Sequence, residues 1–471
     1  MIGVNTAPPP REQLALRRRD DSDLSGRLRR SVRDHGTRPD LAEFSAWFRE
    51  RARASPFRVD RITFDELTDW SFDPVTGNLG HRTGRFFSVE GLHVEPDGAA
   101  DRSWHQPIIH QPEVGILGIL AKEFDGVLHF LMQAKPEPGN PGLFQLSPTV
   151  QATRSNYSRV HRGFGVRYLE YFVHPGRGRV LVDVLQSEHG SWFYRKNNRN
   201  IVVEVFDDVP LHDDFVWLTL GQIGALLRRP NLINMDSRSV LACLQLGDEG
   251  FEALHSDTEL LSWFTAERAR REVRAERVPL AALPGWERGA RSIDHVDGRY
   301  FRVVAVSVQA GSREIARWTQ PLIEPVGTGV TAFLARRISG VLHLLAHARV
   351  EAGFRHTVEL GPTVQCTPAS YAHLPADRHP PFLDLVLSAD PARIRYDAVH
   401  SEEGGRFLDA ESRYLVVETA EDDLPAPLPE GYCWLTPAQL TSLARHGLYV
   451  NVQARTLLAC LGTGAAEVGR T

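Results

Sequence analysis

GVLHFLMQAKPEPGNPGLFQLSPTVQATRSNY, residues Gly126 to Tyr157, recurs without a gap 214 residues later as GVLHLLAHARVEAGFRHTVELGPTVQCTPASY, residues Gly340 to Tyr371. Fifteen of the 32 aligned pairs are identical, among them Glu137/Glu351, Gly139/Gly353 and the whole PTVQ run, where unrelated segments would share about two. The chain is a tandem duplication.

Outward from that stretch the register holds. LGHRTGRFFSV (Leu79 to Val89) falls on IDHVDGRYFRV (Ile293 to Val303), and WHQPII (Trp104 to Ile109) falls on WTQPLI (Trp318 to Ile323). After a three-residue insertion, LACL at Leu241 meets LACL at Leu458. Eight of the nine tryptophans are repeat partners, and Trp192 stands alone. These limits predict a mobile tail over 1–38, a first repeat over 39–250 and a second over 256–466, each able to bury its own core.

Net charge is -5 with both signs interspersed, so no basic stripe is offered to nucleic acid and no polybasic patch to a membrane. No apolar run reaches the length of a membrane span, and the first 30 residues lack the apolar centre of a secretion signal. A cytoplasmic protein is expected. The cysteines lack CxxC spacing, and Cys243 and Cys460 share the same LACL slot, which reads as buried thiols.

Helical spacing behind Asp40 predicts a helix to Ala54, answered by Thr258 to Val273, with a short helix within the tail near Asp23 to Val32. Asp125-Gly126 and Ser339-Gly340 predict hairpins between two central strands. PEPGNPG, from Pro136 to Gly142, is a loop at a sheet end, and LFQLSPTVQ, YLEYFV, VLVDVLQSE and NIVVEVF read as strands. Helices follow Thr219 and Thr436, and each copy closes on an apolar-faced helix. The class is α+β, a mixed sheet flanked by helices, twice over.

The chemistry-bearing motifs are notable for what they exclude. HExxH, paired CxxC, GxGxxG, the GxxxxGK[ST] loop and GxSxG are all missing, so neither a metal site nor a nicotinamide, ATP or serine-hydrolase site is expected. Arginine outnumbers lysine 51 to 3, and Lys135, kept against that bias, lies inside the organising stretch opposite Arg349. Around it gather Glu137, Asn140, Gln145, Ser147, Thr149, Gln151, Asn156 and Tyr157, a mixture suited to a hydroxyl-rich, phosphorylated ligand. Thr149 and Gln151 read equally as strand polarity. Trp70 and Trp286, expected in matching loops, offer planes for a base, and His81 with Arg85, repeated as His295 with Arg299, forms a turn suited to a diphosphate. His129 and His343 read as core residues.

GRFFSVEGL (Gly84 to Leu92), KPEPGN (Lys135 to Asn140), QLSPTVQATRSNY (Gln145 to Tyr157) and ELGPTVQCTPASY (Glu359 to Tyr371) together resemble the NDP-hexose 2,3-dehydratase family of deoxysugar biosynthesis. The resemblance implies a homodimer of subunits with two Nudix-like domains each, acting without a cofactor on a dTDP-4-keto-6-deoxy-hexose. In such a substrate the carbon 4 ketone acidifies the hydrogen on carbon 3 and holds the charge as an enolate while hydroxide leaves carbon 2, so a base, an oxyanion donor and an acid are needed. Candidates are Glu137 or His81 as base and Lys135 or Tyr157 at the oxyanion. Trp70, Arg85, Ser147, Pro148, Thr149, Val150, Gln151 and Ser187 are expected to bind substrate in the first repeat, and Trp286, Arg299, Thr363, Val364, Gln365 and Ser401 in the second. The second repeat departs from EPGN and replaces Ser147 by Gly361, so it is expected to bind without chemistry. The competing reading is a non-catalytic nucleotide-sugar-binding regulator or scaffold.

Overall fold

The computed structural model describes residues 22–36, 39–96, 103–153, 165–174, 176–244, 252–311 and 316–466. Asn156 and Tyr157 lie outside them. The chain forms two seven-stranded mixed sheets and two five-stranded antiparallel sheets, with a few helices. In the first repeat the strands Gly115–Phe124 and Val127–Pro136 are central, and Asn197–Glu204 runs parallel to the former. Their hairpin is the expected kind: Asp125 and Gly126 have φ of 48° and 80°, and Ser339 and Gly340 have 50° and 85°, the left-handed pair that matches strand twist.

The PTVQ run owes part of its repetition to the sheet. Phe144–Ser147 pairs with one central strand and Val150–Ala152 with the other, so the chain crosses between them at Pro148. Buried Thr149 accepts from the Leu120 amide at 2.9 Å and donates to the Leu131 carbonyl, and Thr363 does the same between Leu334 and Leu345. One hydroxyl thereby satisfies two backbone groups that the splayed strands leave open. Val150 and Val364 are fully buried apolar contacts beside it.

The repeats do not fold side by side. Phe57–Ile62, which opens the first repeat, pairs along its whole length with Phe301–Ala310 of the second. Val273–Val278, which opens the second, pairs with Ser88–Pro96 of the first. Each five-stranded sheet thus holds one strand of the other repeat. Two buried guanidiniums pin the junction: Arg238 donates to the Ser401 carbonyl and Arg455 to the Ser187 carbonyl, both at 2.6 Å. Five donors on a planar fork suit this task, which an ammonium could not perform.

Two expectations change. YLEYFV is a turn leading into a short helix, Glu170–Val173, because Tyr168 has φ of 62° and buries with Phe172 four residues on, a helical spacing. Trp70 and Trp286 sit in short strands, Trp70–Phe72 and Trp286–Arg288, rather than loops. The short helix expected within the tail is present as Ser22–Arg33, with Leu24 and Leu28 buried and Arg27 paired to Glu204 and Glu123. Cys243, Cys433 and Cys460 are buried, and His343 is buried with Nε2 accepting from the Leu254 amide at 2.9 Å.

Glu359 at the junction has a neutral counterpart. Ser187 donates to buried Glu359, as Ser401 donates to Gln145 at 2.9 Å. Burial pushes the Glu359 carboxyl from 4.5 up to about 7. A carboxyl raised in the folded state stabilises folding fully below its unfolded value and loses that contribution as pH rises through the folded one. Glu359→Gln should therefore raise the melting temperature near pH 8 and flatten its decline above about pH 5, an effect of at most about 3 kcal/mol. Thermal melts across that range check it, and a variant less stable than the parent at pH 8 would contradict it.

Candidate active site

Two cavities occupy equivalent places at the sheet ends, and each is walled by both repeats. The first, about 250 Å³, sits against Lys135, Glu137 and Gln151 of the first repeat and is closed by Trp318, Gln320 and the Glu403–Arg406 turn of the second. The second, about 740 Å³, sits against Arg349 and Gln365 and is closed by Trp104, Gln106 and the His189–Trp192 turn of the first repeat. The crossing is fixed by backbone. The Gly139 amide donates to the Gly404 carbonyl at 2.7 Å, and Gly353 donates to Gly190 at 2.8 Å.

At the first cavity, Lys135 Nζ donates to Gln151 Oε1 at 2.7 Å and lies 3.4 Å from Glu137 Oε1, which also accepts from Gln151 Nε2 at 2.8 Å. In the second, Glu351 Oε1 likewise accepts from Arg349 Nε at 2.7 Å and from Gln365 Nε2 at 2.8 Å, while Gln365 Oε1 accepts from Asn451 Nδ2 at 2.8 Å. The remaining linings differ in charge. Lys196, Asn198, Asp236, Glu403 and Arg406 of the first cavity correspond in the repeat to Ala410, Ser412, Gln453, His189 and Trp192 of the second, whose own carboxylates are Glu402 and Glu411. His189 and Trp192 stack there at 4.4 Å, near Trp286, Tyr300 and Phe301.

This crowding moves proton affinities. Burial, then neighbouring Glu188, pushes the Glu403 carboxyl from 4.5 up to about 7. Burial, then Glu403 and Glu188, raises Asp236 well above the usual carboxylate range. Glu188 behind them is raised by burial and Lys196 is lowered by it. Shifted groups of opposite demand in one cleft are what acid–base chemistry requires.

Of the residues singled out from sequence, Lys135, Glu137 and Gln151 line the first cavity, and Trp286, His295 and Gln365 line the second. The Thr149 and Thr363 hydroxyls are spent inside the sheets. Ser147, Ser187 and Ser401 are buried in contacts with Asn234, Glu359 and Gln145 rather than on a cavity wall. Trp70 is buried against Phe87, with His81 against its edge. His81 binds Thr83 at 2.7 Å outside the first lining, Arg85 is exposed, and Arg299 lies 3.5 Å from Asp297. Missed from sequence were Lys196, Asp236, Glu403 and Arg406. The signal was present: Lys196 is another of the three lysines, and the unmatched Trp192 marks the position where the other repeat carries Arg406.

A family model described as NDP-hexose 2,3-dehydratase matches residues 41–244 and again 257–461. The chain belongs to that family. It is 60% identical over 459 residues to the dTDP-4-dehydro-6-deoxy-alpha-D-glucopyranose 2,3-dehydratase of Amycolatopsis orientalis, covering 96% of this chain and 97% of the relative. Proteins of the same name from Saccharopolyspora spinosa and Streptomyces violaceoruber are 53% and 51% identical, over 89% and 90% of this chain and 90% and 97% of theirs. The family's twofold match coincides with the two repeats, so in this 2,3-dehydratase the duplication spans the family's own unit. Among the described residues no helix is long and apolar enough to cross a membrane.

The loop that carries Glu137 into the cavity has little room at one glycine and ample room at another. A Cβ on Gly139 would stand 1.6 Å from the Phe407 carbonyl oxygen, whereas one on Gly142, at φ of +69°, meets nothing within 4 Å. Gly139→Ala should destabilise the chain by roughly 3 kcal/mol or more, because backbone must move, and Gly142→Ala by about 1 kcal/mol, from the left-handed conformation alone. Urea titration of both checks the ranking. Equal losses would mean that the turn yields freely.

Proposed function

We propose that this chain removes water across carbons 2 and 3 of a dTDP-4-keto-6-deoxy-hexose in its first cavity, giving a 3,4-diketo-2,6-dideoxy sugar. The observation that carries the reading is the contrast between equivalent cavities: both keep the cation–glutamate–glutamine set, and the first adds Lys196, Arg406, Asp236 and Glu403 at the positions where the second, whose own carboxylates are Glu402 and Glu411, has Ala410, Trp192, Gln453 and His189. An elimination next to a ketone needs charge at the reacting carbons, while holding a nucleotide needs mainly aromatic planes and polar contacts. The sugar ketone is the electron sink, so the residues have to supply a base, an acid and a donor to the carbon 4 oxygen. Lys135, set by Gln151 and Glu137, is assigned to that oxygen.

The second cavity, with Trp192, Trp286 and Tyr300 and without counterparts of Lys196, Asp236, Glu403 and Arg406, is assigned to binding a nucleotide sugar without chemistry. The reading includes a Nudix-like ancestry for each repeat, a homodimeric assembly and a cytoplasmic setting. Incubation of the purified chain with dTDP-4-keto-6-deoxyglucose should show loss of water by mass and a diketone trapped by a diamine. Binding without water loss would return the chain to the regulator or scaffold reading.

Lys135→Ala should lower turnover by roughly a hundred- to a thousandfold, the usual cost of removing one oxyanion donor. Arg349→Ala should leave turnover within about threefold and weaken nucleotide-sugar binding at one of two sites. Steady-state rates and calorimetric stoichiometry measure both. A matching collapse of turnover in the two variants would show that the cavities are not divided in this way.

A further inference from the structure

The first cavity brings together three carboxylates, and their surroundings assign them different work. Glu137 is held by Gln151 and Lys135, and Glu351 is held in the same way by Gln365 and Arg349. That arrangement survives in the cavity where Lys196, Asp236, Glu403 and Arg406 are replaced, so it serves the shared architecture. Glu403 and Asp236 are the carboxylates without a counterpart: His189 and Gln453 stand in their places. Oε2 of Glu403 and Oδ1 of Asp236 are shut away from solvent with no hydrogen-bond partner among the described residues, as are Nδ1 of His189 and Oε1 of Gln453 at the equivalent places, so both cavities hold open polar atoms and only the first holds them on carboxylates at these positions. Buried acceptors left open in a native fold call for a partner that arrives later.

Their positions converge from opposite repeats. Asp236 lies in the first turn of the helix Met235–Leu241, and Glu403 lies on the turn that the Gly139–Gly404 hydrogen bond docks against the first repeat. A Cβ on Gly405 would stand 3.4 Å from Glu403 Oε1 and 3.7 Å from Glu137 Oε1, so Glu403 shares the cavity floor with the Lys135–Glu137 pair.

Resting on the dehydratase reading above, we propose that the proton-transfer pair of the elimination is split between the repeats, with Glu403 of the second as the base at carbon 3 and Asp236 of the first as the acid at the carbon 2 oxygen. The second repeat then completes the active site. Glu403 takes the proton from carbon 3, and the C–H electron pair moves into an enolate whose oxygen, on carbon 4, faces Lys135. The enolate collapses, the carbon 2–oxygen bond breaks, and Asp236 gives its proton to the departing oxygen, which leaves as water. A carbon 2–carbon 3 double bond remains, bearing the carbon 3 hydroxyl. Ketonisation moves that hydroxyl proton away and adds one at carbon 2, and transfer of a proton from Glu403 to Asp236 resets the pair. No oxidant or reductant is consumed.

The groups facing Glu403 are Glu188, Arg406, Glu137, Lys196 and Asp236; those facing Asp236 are Glu403, Glu188, Glu137 and Lys135. The division of labour follows from their balance. Glu403, near 7, is substantially ionised at neutral pH and can accept a proton, while Asp236, raised further out of its usual range, holds one to give.

The test uses the full chain with dTDP-4-keto-6-deoxyglucose in deuterium oxide, recording water loss and hydrogen exchange at carbon 3 by mass spectrometry and NMR. Glu403→Gln should lose both by roughly a hundredfold or more. Asp236→Asn should lose water elimination by a similar factor and keep exchange at carbon 3, since only the leaving group lacks its proton. Unchanged dTDP affinity confirms that the variants are folded. Turnover within about threefold of the parent in either variant overturns the pair, as does loss of carbon 3 exchange in Glu137→Gln but not in Glu403→Gln. If Glu403→Gln does not fold, the pH dependence of parental turnover decides: it should fall about tenfold per unit below pH 7, and a flat profile from about pH 5 to 8 overturns the base assignment. A parent that leaves the sugar intact would refute the dehydratase reading itself, a separate outcome.

Discussion

The Gly139 amide meets the Gly404 carbonyl at 2.7 Å, and a side chain on Gly139 would collide with the Phe407 carbonyl. Most of what distinguishes this molecule depends on that approach of two backbones. It seats the Glu403–Arg406 turn of one repeat over the sheet end of the other, and its twin at Gly353 and Gly190 seats the His189–Trp192 turn over the second sheet end. With any larger residue the turns would stand off, and the carboxylate and guanidinium that charge the first cavity would face solvent. The strand exchange between Phe57–Ile62 and Phe301–Ala310, with its counterpart, and the buried Arg238 and Arg455 hold the two halves in the register that this contact needs.

Duplication under this geometry yields two sites that each need both copies, so the copies can diverge without either becoming dispensable. Changes on the second repeat's turn alter the first cavity, and changes on the first repeat's turn alter the second. Arg406, which stacks 4.3 Å over Phe87 and donates to Gln111 at 3.0 Å, and Trp192, which lies against Phe407 and Phe301, are the same position resolved in two ways. One choice brings charge and a small cavity, the other aromatic planes and a larger one. Burying several like charges is costly unless cations interleave with them, and Lys135, Lys196 and Arg406 provide that interleaving in the first cavity. The residual crowding is what sets its carboxylates at unusual proton affinities.

What the amino-acid sequence determined by itself was what local chemistry and repetition can encode. The Asp125-Gly126 turn, the Asp40 and Thr219 helix caps, the central strands and the tandem duplication follow from turn preferences, capping and apolar periodicity, all short-range. Lys135 and Glu137 were legible as cavity residues because a loop at a sheet end, rich in Pro and Gly, is where such residues gather. The rest came from contacts between parts of the chain far apart in sequence. That Phe57–Ile62 joins the other repeat's sheet, that Thr149 closes a gap in its own, and that Ser187 and Ser401 pack at the junction instead of a cavity wall depend on partners 18 to 256 positions away in the chain. Asp236 and Glu403 carry no motif, and 167 residues separate them in the chain. Their meeting required the two repeats to cross, a constraint that backbone packing at glycine imposes and no spacing along the chain reveals.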